Sequence, residues 1–589
     1  MRLRNSKLAI VVAMLVSGPL AGQAVIQVPT DFATIQAAID FASDGDTVEL
    51  LPGTYVENVD LLGKAIVLTS TDGASVTTID GSACTTGSEL CSTISCRNGE
   101  GRDTVLTGLT ITGGSGTTVV SSGLTTIRGG GMYSELASPT VTDCVFVGNG
   151  VFTGYGGGIC NYNNVAEITD CEFTGNTGRR GAGITNLGSN ATISNCTFLS
   201  NSGSGIANRP TLSGGPSDAT ITACTFIGNI AHNGGGVFNS DSHPTITSCT
   251  FEGNTAFELG GGGIMNFSDS SSLVVGCTFV GNLAMGAMFV DDGFGGAIGN
   301  LQAEGSTILG CSFFGNISDG GVGGGVSGGA FGGTSTDTCF LESCVFSGNS
   351  ATYPGGAISV QSTDVVVRNC TFNQDSAVSG SSVALLGNTA GLLENCLFHP
   401  GDPISIIHTA SSLIVSHCCN AGVDGVGGNF YAEPQFVDPP GADGVVGTAD
   451  DDLHLRVTSP CIDTGDATLG LLWDFDLDGQ ARTICGGVDI GADEFDGCPE
   501  SFVRGDGNDD GAVDIGDPVH ALSYLFMGED ASCLDAHDSN DDGAVDIGDP
   551  VYTLGHLFSG GPAPLLPYPD CGSDRTGDGI ACESYLACP

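Results

Sequence analysis

Apolar and polar positions along this chain recur in blocks of 25 to 34 residues. The unit is Cys-x-Phe-x-Gly-Asn, first seen at residues 144–149 and again at 171–176. Its Cys-x-Phe core returns at Cys196, Cys224, Cys249, Cys277, Cys311, Cys344, Cys370 and Cys396. Asn follows five residues after the cysteine at 149, 176, 201, 229, 254, 282, 316 and 349. A Gly-rich box ending in Asn falls midway between these motifs, at residues 156–161, 181–186, 234–239 and 261–266. A period of this length predicts a solenoid, because one repeat cannot bury its own apolar face and must stack on its neighbours. Cys and Phe two residues apart point to one face of a strand. The pattern therefore predicts short strands, three per turn, over residues 105–420, with Cys, Phe and the Ile or Val of the Gly box inward and Asn at the corners.

The ends of the chain carry other periods. Residues 34–42 place Ile35, Ala38, Ile39 and Ala42 on one helical face, which predicts a helix covering the open end of the stack. Residues 25–104 thus read as a cap and first coils. The period is lost over 421–497, where Asp-rich turns cluster at 443–453, 459–465 and 487–495; these acids offer either a calcium site or solvated turns. Longer repeats at 277–311 and 311–344 predict insertions at 284–294 and 318–336, where solenoids place binding elements.

Residues 506–517 and 538–549 are two copies of one acidic loop. Oxygen donors fall at positions 1, 3, 5, 9 and 12 with Gly at 6, the pattern a seven-coordinate Ca²⁺ requires. The expected ligands are Asp506, Asn508, Asp510, Asp514 and Asp517 with the Ala512 carbonyl, and Asp538, Asn540, Asp542, Asp546 and Asp549 with the Ala544 carbonyl. A helix is expected after each loop, at 518–526 and 550–558, with Pro in its first turn. Val519, Leu522, Leu525 and Phe526 match Val551, Leu554, Leu557 and Phe558 as an apolar stripe. This unit spans 498–560, and a Pro/Cys tail follows over 561–589.

Composition narrows the function. Sixty-six acids face 15 bases for a formal net charge of -51, and beyond residue 8 the bases are one lysine, Lys64, and eleven arginines. Such a chain repels nucleic acid and anionic membranes, and approaches a polyuronate only with cations. Arg2, Arg4 and Lys7 ahead of an apolar run at 8–16 and a small-residue site at 22–24 read as a signal peptide over 1–24, which implies a secreted or cell-surface protein with no membrane span after cleavage. The ladder cysteines lie parallel in successive coils and are expected to be buried thiols. Bridges are expected outside the ladder, Cys84 with Cys91, Cys461 with Cys485, Cys498 with Cys533, and one among Cys571, Cys582 and Cys588.

The Phe-x-x-Asn and Gly-Gly-x-Ile boxes resemble right-handed parallel β-helix proteins of the pectin-lyase-like fold, and look closest to the repeats of polymorphic outer-membrane proteins. Residues 35–39 and 52–57 resemble the start of pectinesterase-like β-helices, and 443–495 the closing segment of secreted bacterial β-helices. The tandem loop-plus-helix unit resembles a type I dockerin domain, which implies docking to a cohesin-like receptor through its two helices. Loop positions 10 and 11 are Ile515-Gly516 and Ile547-Gly548, where cellulosomal dockerins carry a small hydroxyl pair. The fold expected is an all-β right-handed β-helix with a capping helix, followed by a small helical calcium domain. Two functions remain open: an extracellular binding or structural module with a calcium-dependent docking unit, or a polysaccharide lyase or glycoside hydrolase anchored by that unit. A lyase needs a base and charge neutralisation, for which the Arg179-Arg180 pair is the candidate; a hydrolase needs two carboxyls, for which Asp291 and Asp292 are. The Gly-His-Gly and Arg-x-Lys motifs of polygalacturonases are missing.

Overall fold

The computed structural model describes residues 23–588 apart from 85–89, 122, 212–214, 259, 287–293, 320–326, 336, 401–405, 410–411, 423–424, 485–486, 496–500, 573–579, 581, 583–584 and 586. Among these, the chain winds into coils, most of which give one strand to each of three parallel sheets, of 15, 13 and 13 strands. One coil shows the plan: Thr140–Thr142 in the first sheet, Val145–Val147 in the second and Ile159–Tyr162 in the third. Cys144 sits in the bend ahead of the second strand and not within it, because Asp143 turns the chain with φ 52°. Cysteine and phenylalanine still both point inward, at 1% and 0% exposure.

Register carries each inward residue onto its copy in the next coil. Phe146 pairs with Phe173, and Phe173 with Phe198. The rings from Phe146 to Phe398 form one offset stack with centroids 4.7–5.0 Å apart and planes within 3–7°. Each buried Phe contributes about 1.5–3 kcal/mol. The Gly box is small because the stack lies against it: a Cβ on Gly158 would sit 2.6 Å from the Gly183 carbonyl oxygen and 2.8 Å from the Phe173 ring.

Asparagine closes the next corner. The Asn229 side-chain amide donates to the Phe198 carbonyl oxygen (2.9 Å) and to Asn254 Oδ1 (2.9 Å). Its own Oδ1 accepts from the Asn201 main-chain N–H (3.1 Å) and side-chain amide (2.9 Å). The same set runs from Asn149 to Asn349, where Asp375 takes over. A second buried row, Asn161, Asn186, Asn208, Asn239, Asn266 and Asn300, links amide to carbonyl at 2.8–2.9 Å at the end of the third sheet's strands. The ladder thiols are free and buried. Main-chain N–H groups reach the next coil's sulfur, as from Cys249 to Cys277 (3.3 Å), and burial pushes the Cys277, Cys311 and Cys344 thiols well up.

Helix α1 (Ile35–Phe41) caps the first coils, with Thr34 as N-cap and Ile35, Ala38 and Ile39 buried. Glu57 accepts from the Ile35 and Gln36 N–H groups, and the Lys64 ammonium donates to the carbonyls of Ile39, Asp40 and Ala42. Each charge complements the helix end it meets. The 421–497 region first stacks on the last coil, where Phe430 pairs in parallel with Cys419. It then runs along the flank of the second sheet, where Phe436, Leu453, Leu455 and Ile490 pack on Phe314, Val345 and Leu397. The Asp451 carboxylate accepts from Ser347 there, and Thr371 Oγ1 accepts from the Ala492 N–H at 2.9 Å.

Beyond it lie α2 (Gly516–Met527), α3 (Leu534–His537) and α4 (Gly548–Ser559). The apolar stripe expected on α2 and α4 is not a buried one: Val519, Phe526, Val551 and Phe558 are exposed, while the acidic and small residues Asp517, Ala521, Asp549 and Thr553 are buried. No helix among the described residues is long and apolar enough to cross a membrane.

Cys84 pairs with Cys91 and Cys571 with Cys588, as expected. Two pairings differ. Cys461 is a free, buried thiol packed with Cys419 under the flanking segment, so it does not bridge Cys485. Cys533 bridges Cys582 and not Cys498, because the tail folds back over the helices. Residues 1–22, Cys485 and Cys498 lie outside the described residues.

Replacing Asn229 with Ala strands the Phe198 carbonyl and the Asn201 N–H in the interior. Each orphaned group costs about 1–3 kcal/mol, so urea unfolding should show a loss of about 2–5 kcal/mol; a loss below about 1 kcal/mol would contradict the structural role of the row.

Candidate functional site

Five strands outside the three main sheets form a wall beside the third: Leu90–Cys91, Gly116–Ser121, Leu124–Arg128, Gly150–Tyr155 and Thr177–Arg180. Between this wall and the outward face of the third sheet runs a groove of two adjoining hollows, of ≈ 220 and ≈ 290 Å³, that share Arg180 and Arg209. Its floor comes from the alternate, outward residues of the third sheet's strands, among them Tyr162, Leu187 and Phe238.

Four of the eleven arginines meet here. Arg128, almost wholly buried, lies over the Tyr162 ring with its guanidinium carbon 4.4 Å from the ring centre, and donates to the Tyr133 hydroxyl at 3.2 Å. Arg180 donates to the Tyr155 hydroxyl at 2.9 Å. Arg209 lies 5.4 Å over Phe238. The guanidiniums of Arg179, exposed on the same wall strand as Arg180, and of Arg209 make no hydrogen bond or ion pair to any described residue. Burial and the nearby Arg180 charge lower Arg209 to about 10. His232 and Glu258 border the groove as a bonded pair at 2.7 Å. The rings orient the guanidiniums of Arg128, Arg180 and Arg209 without neutralising them.

The expected Arg179-Arg180 pair thus lies in the groove, on a wall strand and not in a corner loop. Arg128 and Arg209 were not singled out in the sequence, since nothing local joins residues 128, 180 and 209. Asp291 and Asp292 lie outside the described residues.

The two acidic loops adopt one geometry. In the first, Asp506 accepts from the Asp510 and Gly511 N–H groups (3.2 and 2.7 Å), and Asp517 from those of Asn508 and Asp514 (3.3 and 2.7 Å). In the second, Asp538 and Asp549 repeat these bonds with Asp542, Gly543, Asn540 and Asp546. Asp506, Asp517, Asp538 and Asp549 are at most 2% exposed. Burial, with Asp506 or Asp538 beside them, pushes Asp517 and Asp549 up to about 7. Two buried carboxylates facing each other in one loop suit a divalent cation. The tail is strapped over the first loop: the Tyr585 hydroxyl donates to Asp506, and the Ala587 N–H to Asp509 at 2.7 Å.

Residues 89–279 and 188–419 match the family described as a right handed beta helix region, together more than half of the chain. The chain belongs to the right-handed β-helix family. No curated protein matches its sequence. Among solved structures it is similar to pectate lyase Pel9A, at 13% identity and TM-score 0.26, over 80% of this chain and 96% of that one. It is also similar to the PL6 family polysaccharide lyase Pedsa3628 from Pseudopedobacter saltans (11%, TM-score 0.32, 73% and 96%). A third is the catalytic unit of a GH87 alpha-1,3-glucanase from Streptomyces thermodiastaticus strain HF3-3 (13%, TM-score 0.27, 69% and 72%). The likeness is one of fold, shared with polysaccharide lyases and hydrolases.

If the loops hold calcium, chelation should remove helical circular dichroism belonging to α2 and α4 while the β-helix signal persists, and Asp538→Ala should reduce bound calcium from two ions per chain to one. An unchanged spectrum on chelation would contradict this.

Proposed function

We propose that this is an extracellular β-helix protein that binds a linear, carboxylate-bearing polysaccharide in the groove between the third sheet and its wall. The observation that carries the reading is the convergence of Arg128, Arg179, Arg180 and Arg209 in one groove, three of them over aromatic rings, in a chain of net charge -51. Guanidinium groups pair with carboxylates in bidentate fashion. Aromatic faces offer flat apolar surface to the sugar rings between them. Coils about 4.8 Å apart set the arginines along the solenoid axis, as a polymer lying in the groove would need.

The C-terminal unit is, in this reading, a dockerin-like module. Asp506, Asn508, Asp510, Asp514 and Asp517 with the Ala512 carbonyl would hold one Ca²⁺, and the matching residues of 538–549 a second. The ion would supply the positive charge that lets the paired buried carboxylates stay together, and so would fix the starts of α2 and α4. Val519 and Phe526 on α2, with Val551 and Phe558 on α4, form duplicate exposed apolar faces suited to a cohesin-like or cell-surface receptor. The leader at 1–24 fits export.

One observation favours a second reading, a lyase that removes the proton α to a uronate carboxyl. Arg209 sits in the groove beside Arg180 with no salt bridge to a described residue, and burial and the Arg180 charge lower its pKa; it would be the base, and Arg180 would pair with the substrate's carboxylate.

Calorimetry with oligouronates at low salt tests both. Binding should weaken at least tenfold in Arg180→Ala/Arg209→Ala and fall with rising salt. Equal binding by the double variant, or none to any uronate, would contradict the proposal, and preference for a sulfated glycan would correct the anion. Absorbance from unsaturated products, lost in Arg209→Ala, would establish the lyase.

A further inference from the structure

We propose that His454, Asp478 and Asp493 form a divalent transition-metal site, of the zinc type, on the segment flanking the second sheet. The three residues come from separate stretches: the strand Asp452–Leu455, the hairpin around Gly479 and the turn after Gly491. One donor atom from each lies within 4.8 Å of the others. His454 Nε2 is 3.0 Å from Asp478 Oδ2 and 3.8 Å from Asp493 Oδ2. These separations bracket the edge of about 3.3 Å in a tetrahedron whose metal–ligand distance is about 2.0–2.1 Å.

Two further observations point to a ligand. The Asp493 side chain is 9% exposed, and its Oδ1 is buried with no hydrogen-bond partner. An unpaired carboxylate oxygen in that position is costly unless a cation meets it. His454 Nδ1 is held by Asp452 Oδ1 at 2.6 Å. A carboxylate on the far nitrogen orients an imidazole and places its lone pair on Nε2, as in carboxylate–histidine–metal triads. Mixed imidazole and carboxylate donors select zinc or a neighbouring first-row ion over calcium, which takes oxygen alone. The site is thus chemically distinct from the loops at 506–517 and 538–549, and it would clip together three stretches of the flanking segment, two of which already share the Leu477 N–H to Ala492 carbonyl hydrogen bond.

The test is titration of the full chain with Zn²⁺ in excess Ca²⁺, which occupies oxygen-only sites and leaves this one open. His454 and Asp478 are about half exposed, so His454→Gln and Asp478→Asn should fold normally. Each should lower the zinc stoichiometry by one, and zinc should raise the melting temperature of the parent chain but not of the variants. Anomalous scattering at the zinc edge should place the ion beside Asp493. Stoichiometry unchanged in both variants, or zinc displaced from the parent chain by millimolar calcium, would overturn the assignment.

Discussion

Every coil leaves its second sheet through a buried corner, and a corner exposes main-chain groups that no strand can pair. The asparagine row from Asn149 to Asn349 resolves this, because one amide serves the Phe carbonyl behind it and the asparagine ahead of it. The geometry closes only if successive coils stand in fixed register, so the row holds the register of the coils it spans, from Asn149 to Asn349. The phenylalanine stack and the thiol ladder follow from it. Stacked rings, parallel thiols and glycines pressed against the ring faces are consequences of placing identical residues one coil apart.

That register turns distant residues into neighbours. Arg128, Arg180 and Arg209 are separated by 52 and 29 residues in sequence, yet they line one groove. The ladder itself was legible in the chain because its signal is periodic, and ten Cys-x-Phe motifs leave little choice of architecture. The groove was half legible. Arg179 and Arg180 stood out as a pair, but their partners sit in repeats with no shared motif, Arg128 on a wall strand and Arg209 at the end of a third-sheet strand. Tyr155, Tyr162 and Phe238, which seat the guanidiniums, look in sequence like ordinary strand residues.

Past residue 420 the same contrast holds. The two acidic loops are local in sequence, so their donor spacing could be read directly, and the structure brings Asp506 to Asp517 and Asp538 to Asp549. The helices lie where the spacing put them, and on their apolar stripe Val519 and Phe526 are exposed because the loops and tail supply the core. Cysteine pairing failed where spacing alone was the guide. Cys461 is covered by the flanking segment beside Cys419, and Cys533 is captured by a tail whose return could not be seen from composition. The same return lays Tyr585 on the first loop, coupling the chain's last residues to its first acidic site.

In the proposed function, coil register assembles an anion-binding groove from arginines that the sequence scatters. A crystal structure of the mature chain soaked with a short oligouronate tests it most directly. The account expects sugar lying along the groove, with carboxylates on Arg180 and Arg209 and rings against Tyr155 and Phe238. Sugar bound elsewhere on the solenoid, or an empty groove at saturating ligand, would contradict it.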